Sequence, residues 1–256
     1  MIGAIIGDII GSPYESGWMK REDFELFRKN SMFTDDTVLT VAVADAILSG
    51  AEYEDKIREY ANQHRGRGFG KRFKQWLGFN VMNDSFGNGS AMRVSPIGFA
   101  FDKEDKVLEE AEKSAVCSHN HPEAIKGAKA IALSVYMAKN GYTKEEIRSR
   151  IIDQFGYDLN RTVDEIRPDY SFDSTCKGSV GEAIVAFLDS KDYEDAVRKA
   201  VSLGGDADTL ACMAGGIAEA YYKETPKYIL VEAWKRIPST FRDIIGKFHE
   251  AYNIKY

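Results

Sequence analysis

Cysteine is scarce in this chain: three residues among 256, at positions 117, 176 and 212. No two of them form a C-x-x-C pair. That sets aside a cysteine zinc site and a disulfide framework, and it points to reduced thiols in the cytoplasm. Histidine is nearly as scarce, with four. Two of these, His119 and His121, alternate in a proline-containing loop with no Cys or further His nearby, a poor arrangement for zinc. Positive charge is also short, with 34 Lys and Arg against 40 Asp and Glu for a net charge of −6. Binding along a nucleic-acid backbone needs a basic face, so non-specific nucleic-acid binding is not expected. No apolar run approaches the roughly 18 residues of a membrane-crossing helix. The N-terminus has neither the basic region nor the cleavage site of a signal peptide, so none is expected. Period-2 alternation is almost missing, which leaves little room for a sheet. A G-x-S-x-G elbow is missing as well, so Ser90 and Ser118 do not read as hydrolase nucleophiles.

What is present is helical periodicity in an ordinary soluble composition, 44% apolar and 29% charged. Residues 1–12 place Gly3, Gly7 and Gly11 four apart on one helical face, where another backbone can come close. Pro13 ends that helix. Glu15 follows, read alone as a solvated carboxylate, and residues 16–32 are charged and irregular. Thr34 caps an amphipathic helix that ends near Gly50, and a more polar one covers 53–64. After a Gly- and Asn-rich stretch, the spacing predicts helices over 91–101, with Pro96 re-aiming it, and over 103–117. A helix opens at Pro122 and runs to about Lys139. Thr143 and Glu146 form a capping box for the next. Further helices are expected at 178–188, 192–202 and 206–222, and at 239–254 with Ser239 as its cap. The reading is a single all-α domain over residues 1–256, and a monomer, because no heptad or exposed apolar stripe stands out.

Two acidic clusters carry the chemistry. Phe33-Thr34-Asp35-Asp36-Thr37 and Gly204-Gly205-Asp206-Ala207-Asp208-Thr209 each precede a strongly apolar helix. Taken singly, each satisfies orphan N–H groups and suits the positive end of a helix dipole. Taken together, they bring four carboxylates into one region if the helices converge. Two like charges at about 4 Å repel by about 1 kcal/mol in water and about 4 at an effective dielectric of 20. Divalent cations turn that repulsion into attraction, and an all-oxygen set selects Mg²⁺ or Mn²⁺ ahead of Ca²⁺. Two ions about 3.5–4 Å apart would share a carboxylate and orient neighbouring substrate oxygens. Gly204 and Gly205 would then leave room for that substrate. The alternatives are that one Asp is protonated or that the clusters never meet.

Asn83-Asp84-Ser85-Phe86-Gly87-Asn88-Gly89-Ser90 is too rich in turn residues to be a regular element. Ahead of a helix start near Ala91, its backbone N–H groups suit a diphosphate, and Phe86 suits a base. The same residues also serve any tight turn. His119 reads as a hydrogen-bond donor to a phosphate or ribose, and His121 as a helix cap or surface residue.

Gly7 to Glu15 (GDIIGSPYE), Phe33 to Thr37 (FTDDT), Gly87 to Val94 (GNGSAMRV), Ser118-His119 and Gly204 to Thr209 (GGDADT) occur in that order. This set resembles the ADP-ribosylglycohydrolase family, which includes the dinitrogenase reductase-activating glycohydrolase and the ADP-ribosyl-acceptor hydrolases. The resemblance spans essentially the whole chain. It implies an all-α orthogonal multi-helix bundle with two Mg²⁺ or Mn²⁺ ions at the base of a cleft. It implies ligation by Thr34, Asp35, Asp36, Asp206, Asp208 and Thr209. Ser85, Phe86, Gly87, Asn88 and Gly89 would form the diphosphate loop, with Phe86 near the adenine and His119 near the phosphates. Glu15 matches a loop glutamate that gates the metal site in some members, those closest in this pattern acting on O-linked ADP-ribose.

The expected activity is hydrolysis of the bond between ADP-ribose and an acceptor, with Asp35, Asp36 or Glu15 as general base. The substrate is expected to be an ADP-ribosylated protein. Alternatives are a small-molecule conjugate such as O-acetyl-ADP-ribose, a nucleic-acid conjugate, or non-catalytic binding of ADP-ribose. The short segment between Glu15 and Thr34 leaves acceptor choice open.

Overall fold

In the computed structural model, residues 1–15, 18–79 and 84–254 are described. Ser16 and Gly17, which open the expected irregular segment, and Asn83, which opens the glycine-rich run, lie outside them.

Among the described residues, the chain forms α-helices and short turns, and its β-type contact is an isolated bridge between Gly87 and Thr175. In order the helices are α1 (Ile2–Gly11), α2 (Asp35–Ser49), α3 (Tyr53–Gln63), α4 (Lys71–Phe79), α5 (Ser95–Ala100), α6 (Glu104–Val116) and α7 (Pro122–Lys139). They continue as α8 (Lys144–Phe155), α9 (Val163–Ile166), α10 (Cys176–Leu188), α11 (Tyr193–Ser202), α12 (Ala207–Tyr222), α13 (Lys227–Trp234) and α14 (Ser239–Ala251). The bundle is all-α, as the periodicity implied.

Two helices make its axis. Every residue of α1 is buried, as is α12 from Ala207 to Ala220, the signature of a helix packed on all sides. The glycines explain how closely they pack. A Cβ placed on Gly7 would lie 2.0 Å from the Ala211 carbonyl oxygen. On Gly3 it would lie 2.6 Å from the Gly215 oxygen, and on Gly11 2.5 Å from the Ala207 oxygen. The contact positions rise along α1 as they fall along α12, so the helices are antiparallel. The C-terminal end of α1 therefore lies beside the N-terminal end of α12. At the opposite end Glu219 accepts the N–H groups of Ile2 and Gly3 at 3.2 and 2.8 Å, meeting two orphan donors of α1.

Local chemistry sets most boundaries. Thr34 caps α2 and Gly50 closes it in the left-handed conformation, φ 67°. The Thr143 capping box starts α8 and the His121 side chain caps α7. Four expectations differ. The helix expected from Ala91 begins only at Ser95, after a 3-10 turn at Asn88–Ser90, because Pro96 sits in the first turn of α5 instead of inside a longer helix. Ser239 is the first helical residue of α14, not its cap: Pro238 holds that position, with no side-chain hydrogen bond. Helix α4 forms inside the glycine-rich stretch because Phe73 and Trp76 bury one face. Helix α13, which no periodicity signalled, buries only Ile229 and Ala233.

Candidate active site

The start of α2, the end of α1 and the start of α12 meet at the base of a cleft of about 420 Å³, within the size range of ligand sites. The two acidic clusters converge there. Asp8, Asp36 and Asp208 each offer an oxygen, all within 4.8 Å of one another; Glu15, Asp206 and Asp208 form a second such group. Asp208 belongs to both. Thr209 Oγ1 donates to Asp36 Oδ2 at 3.3 Å, and Asp208 Oδ1 accepts from Thr209 N at 2.9 Å. Asp35 lines the same cleft. A Cβ on Gly68, whose φ is +103°, would meet its Oδ1 at 2.8 Å, so only glycine lets that loop close over the carboxylate.

Asp8 is the residue that the sequence reading missed. It sits inside an apolar helix, Ile-Ile-Gly-Asp-Ile-Ile-Gly, with nothing local to announce it. Its Oδ2 accepts from Thr34 N at 2.9 Å and Thr37 N at 3.1 Å, and also from the Thr37 hydroxyl; its Oδ1 lies 2.7 Å from Thr34 Oγ1. Asp8 thereby ties α1 to the first turn of α2 and takes the proton of the Thr34 hydroxyl. That hydroxyl also lies 3.1 Å from Asp36 Oδ2, within donating distance, and accepts the Asp36 N–H at 3.4 Å.

Electrostatics make this end of the cleft incomplete. Burial pushes Asp8 up to about 6 from the ordinary 3.8. Burial, and then the neighbouring carboxylates, hold Asp35, Asp36 and Asp208 well above the usual range, with Asp206 and Glu15 raised as well. Carboxylates are the charges that raise them: Asp8 beside Asp35 and Asp36, Asp36 beside Asp208, Asp206 beside Glu15, and Asp173 beside Asp206. Asp36 Oδ1 is buried with no hydrogen-bond partner among the described residues. An orphaned carboxylate oxygen, a second carboxylate shared by two groups, and threonine hydroxyls alongside fit hard divalent cations by donor type.

The glycine-rich loop forms one wall. Asn88 N donates to Ser174 O at 2.9 Å, Cys176 N to Phe86 O at 3.0 Å, and Gly87 N to Ser85 Oγ at 3.2 Å. The N–H groups of Gly87 and Asn88 are therefore committed within the protein, against the expectation that they face an anion. Asn88 Nδ2 also donates to Asp206 Oδ2 at 2.8 Å, joining this wall to the acidic floor. His119 packs behind the loop: a Cβ on Gly89 would lie 3.0 Å from its Nε2. Phe86 is 43% exposed at the cleft, and Phe172, 54% exposed, lines it too. Phe172 belongs to the mixed, polar stretch 154–177, whose pattern gives no firm reading of secondary structure.

Gly204 and Gly205 are placed otherwise than expected. Gly204 has φ +70° and a Cβ there would meet Met19 O at 2.9 Å; one on Gly205 would meet the Tyr170 ring at 2.4 Å. Lys20 donates to Leu203 O at 2.6 Å and pins the turn. The space is filled by the chain itself, and neither glycine lines the cleft.

Comparison with known proteins agrees with this fold. ADP-ribosylhydrolase ARH3 of Gallus gallus is 24% identical, the match covering 98% of this chain and 92% of that protein. ADP-ribosylarginine hydrolase Tri1 of Pseudomonas putida (strain GB-1) is 26% identical, covering 92% of this chain and 74% of that one. A solved ADP-ribosylglycohydrolase-related protein complex superimposes with a TM-score of 0.75 at 22% identity, over 100% of this chain and 96% of the other, and shares its fold. The profile of the ADP-ribosylglycohydrolase family matches residues 1–251, and the chain belongs to that family.

Proposed function

We propose that the protein hydrolyses the glycosidic bond between ADP-ribose and an acceptor, with a modified protein side chain as substrate and Mg²⁺ or Mn²⁺ at the acidic end of the cleft. The observation that carries this reading is the membership of Asp208 in two oxygen groups at the base of one cleft. Thr34, Asp35, Asp36, Asp206, Asp208 and Thr209 would hold two ions. When bound, such ions neutralise the carboxylates, orient ribose hydroxyls and stabilise charge developing on oxygen.

The chain's own residues then divide the work. Asp8 fixes Thr34 and the start of α2. Ser85 to Gly89 shape the wall for a diphosphate, His119 donates to it, and Phe86 with Phe172 offers aromatic faces to an adenine. A carboxylate among Asp35, Asp36 and Glu15 takes a proton from the water that attacks the anomeric carbon, and a protonated carboxyl returns one to the leaving acceptor. Water adds across the bond; ADP-ribose and the free acceptor leave. Among the described residues no helix is long and apolar enough to cross a membrane, and the thiols Cys117, Cys176 and Cys212 are free. We place the enzyme in the cytoplasm as a monomer.

The test is ADP-ribose release from arginine- and serine-linked ADP-ribosyl peptides, side by side, with Mg²⁺, Mn²⁺ or EDTA. Metal-dependent release from one peptide is expected and identifies the linkage. Release that persists in EDTA would refute the metal-assisted reading.

A further inference from the structure

Behind the glycine-loop wall lies a buried cation without a counter-ion among the described residues. Arg93 is fully buried. Its guanidinium donates to Ser114 O and Ser114 Oγ, to Cys117 Sγ at 3.8 Å, and through Nη2 to Ser118 Oγ at 2.9 Å; Nη1 finds no partner. All of these acceptors are neutral groups. A guanidinium keeps its charge in proteins and can only donate, so this is an expensive residue to bury.

Its effect can be followed by counting protons. Ser118 is fully buried, and its oxygen spends a lone pair on Arg93. Its own O–H needs an acceptor, as buried hydroxyls generally do. His119 Nδ1 lies 2.8 Å away. The Cys117 sulfur also neighbours this hydroxyl, but a thiol is a weak acceptor and is already shared with Arg93. Nδ1 therefore accepts, and the ring proton sits on Nε2. Burial and the Arg93 charge both oppose a second ring proton. Nε2 makes no hydrogen bond among the described residues. It lies against Gly87 and Gly89, on a side chain that is 5% exposed and lines the cleft.

We propose that Arg93 and Ser118 are positioning residues that hold His119 in its Nε2–H tautomer, so that a fixed donor faces the substrate's diphosphate. This rests on the functional reading above for the identity of the anion, but the relay itself is a property of the free protein. It also gives the buried charge a purpose, because an anion beside Nε2 is the counter-charge that Arg93 lacks. With the N–H groups of Gly87 and Asn88 committed elsewhere, a correctly oriented histidine matters more than it would in an open anion nest.

The imidazole ¹⁵N spectrum of the histidine-labelled protein reads the tautomer directly. His119 is assigned by its loss in His119→Gln, and ADP-ribose affinity is measured in parallel with Mg²⁺ present. The wild-type protein should show Nε2–H at His119. Ser118→Ala should give a tautomer mixture and weaken ADP-ribose binding about three- to tenfold, following the reduced competent fraction, while Ser118→Thr restores both. An Nδ1–H ring in the wild type would overturn the relay whatever the variants do, as would an unchanged tautomer in Ser118→Ala. A shifted tautomer with unaltered affinity would overturn its role toward the diphosphate. Failure of the wild-type protein to bind ADP-ribose would instead overturn the functional reading, with the tautomer still decided by the spectrum.

Discussion

At the base of the cleft, Asp36 Oδ1 is buried without a partner; behind its wall, Arg93 Nη1 is buried without one either. The first belongs to a set of carboxylates that face each other, the second to a cation that faces neutral groups. Both arrangements are unfavourable in isolation, because a buried charge needs a counter-charge to offset its lost hydration. Asn88 belongs to the wall and donates to Asp206 on the floor, joining the two regions. On the proposed function, a ligand bearing a diphosphate at one end, with divalent cations bound at the other, would answer both deficits. The comparison teaches that two regions of this fold carry uncompensated charge of opposite sign, one lining the cleft and one behind its wall.

The largest effect should come from breaking the acidic end. Asp36→Ala and Asp208→Ala should each lower ADP-ribose release by at least about a thousandfold while circular dichroism shows the helices intact; full activity in either would remove the floor from the account. Next comes the packing that builds the floor. In Gly7→Ala the added methyl meets the α12 backbone, so a stability loss of about 1–3 kcal/mol or more is expected by thermal melting. Asp8→Asn keeps the size of the side chain but weakens its hold on Thr34 and Thr37. It should lower divalent-cation affinity by about 10–100-fold, read by calorimetry. A smaller effect at the other end sharpens the contrast. Gly89→Ala displaces His119 and should weaken ADP-ribose binding about tenfold with cation affinity unchanged; a parallel loss of cation affinity would show that the two regions are not independent.

The acidic end also has a pH signature. A carboxyl whose native pKa lies above its unfolded value keeps a proton that the unfolded chain releases, so its stabilisation is present at low pH and fades as pH rises through the native value. For Asp8 that window runs from 3.8 to about 6, and Asp35, Asp36 and Asp208, raised as well, act in the same direction. In EDTA the protein should melt at a lower temperature near pH 7 than near pH 5, and Mg²⁺ should cancel or reverse that slope. A flat melting profile in EDTA would contradict the mutual repulsion inferred here.

The acidic clusters were legible because chemistry and periodicity coincide in them: a threonine and two aspartates at the start of an apolar helix, twice. The close packing of α1 was legible from Gly3, Gly7 and Gly11. Asp8 was hidden by that same packing, since its partners Thr34 and Thr37 come from a different helix and its neighbours in sequence are all apolar. Gly204 and Gly205 were noticed for the wrong reason, because a sequence cannot tell a glycine that admits a ligand from one that admits Lys20 or Tyr170. The Arg93–Ser118–His119 chain lies in two motifs that were both visible, but their contact depends on how α6 ends beside the turn after Asn88–Ser90. Helices α4 and α13 are short and bury only two residues each, so their signal is tertiary.

The central claim is that one carboxylate, Asp208, serves two cations at the base of the cleft. A Mn²⁺ titration of the wild-type protein and of Asp208→Ala by calorimetry tests it most directly. Two Mn²⁺ ions per chain in the wild type, with both lost or severely weakened together in the variant, is the predicted result. A wild-type protein that binds no Mn²⁺, or a variant that keeps its full complement at unchanged affinity, would contradict it.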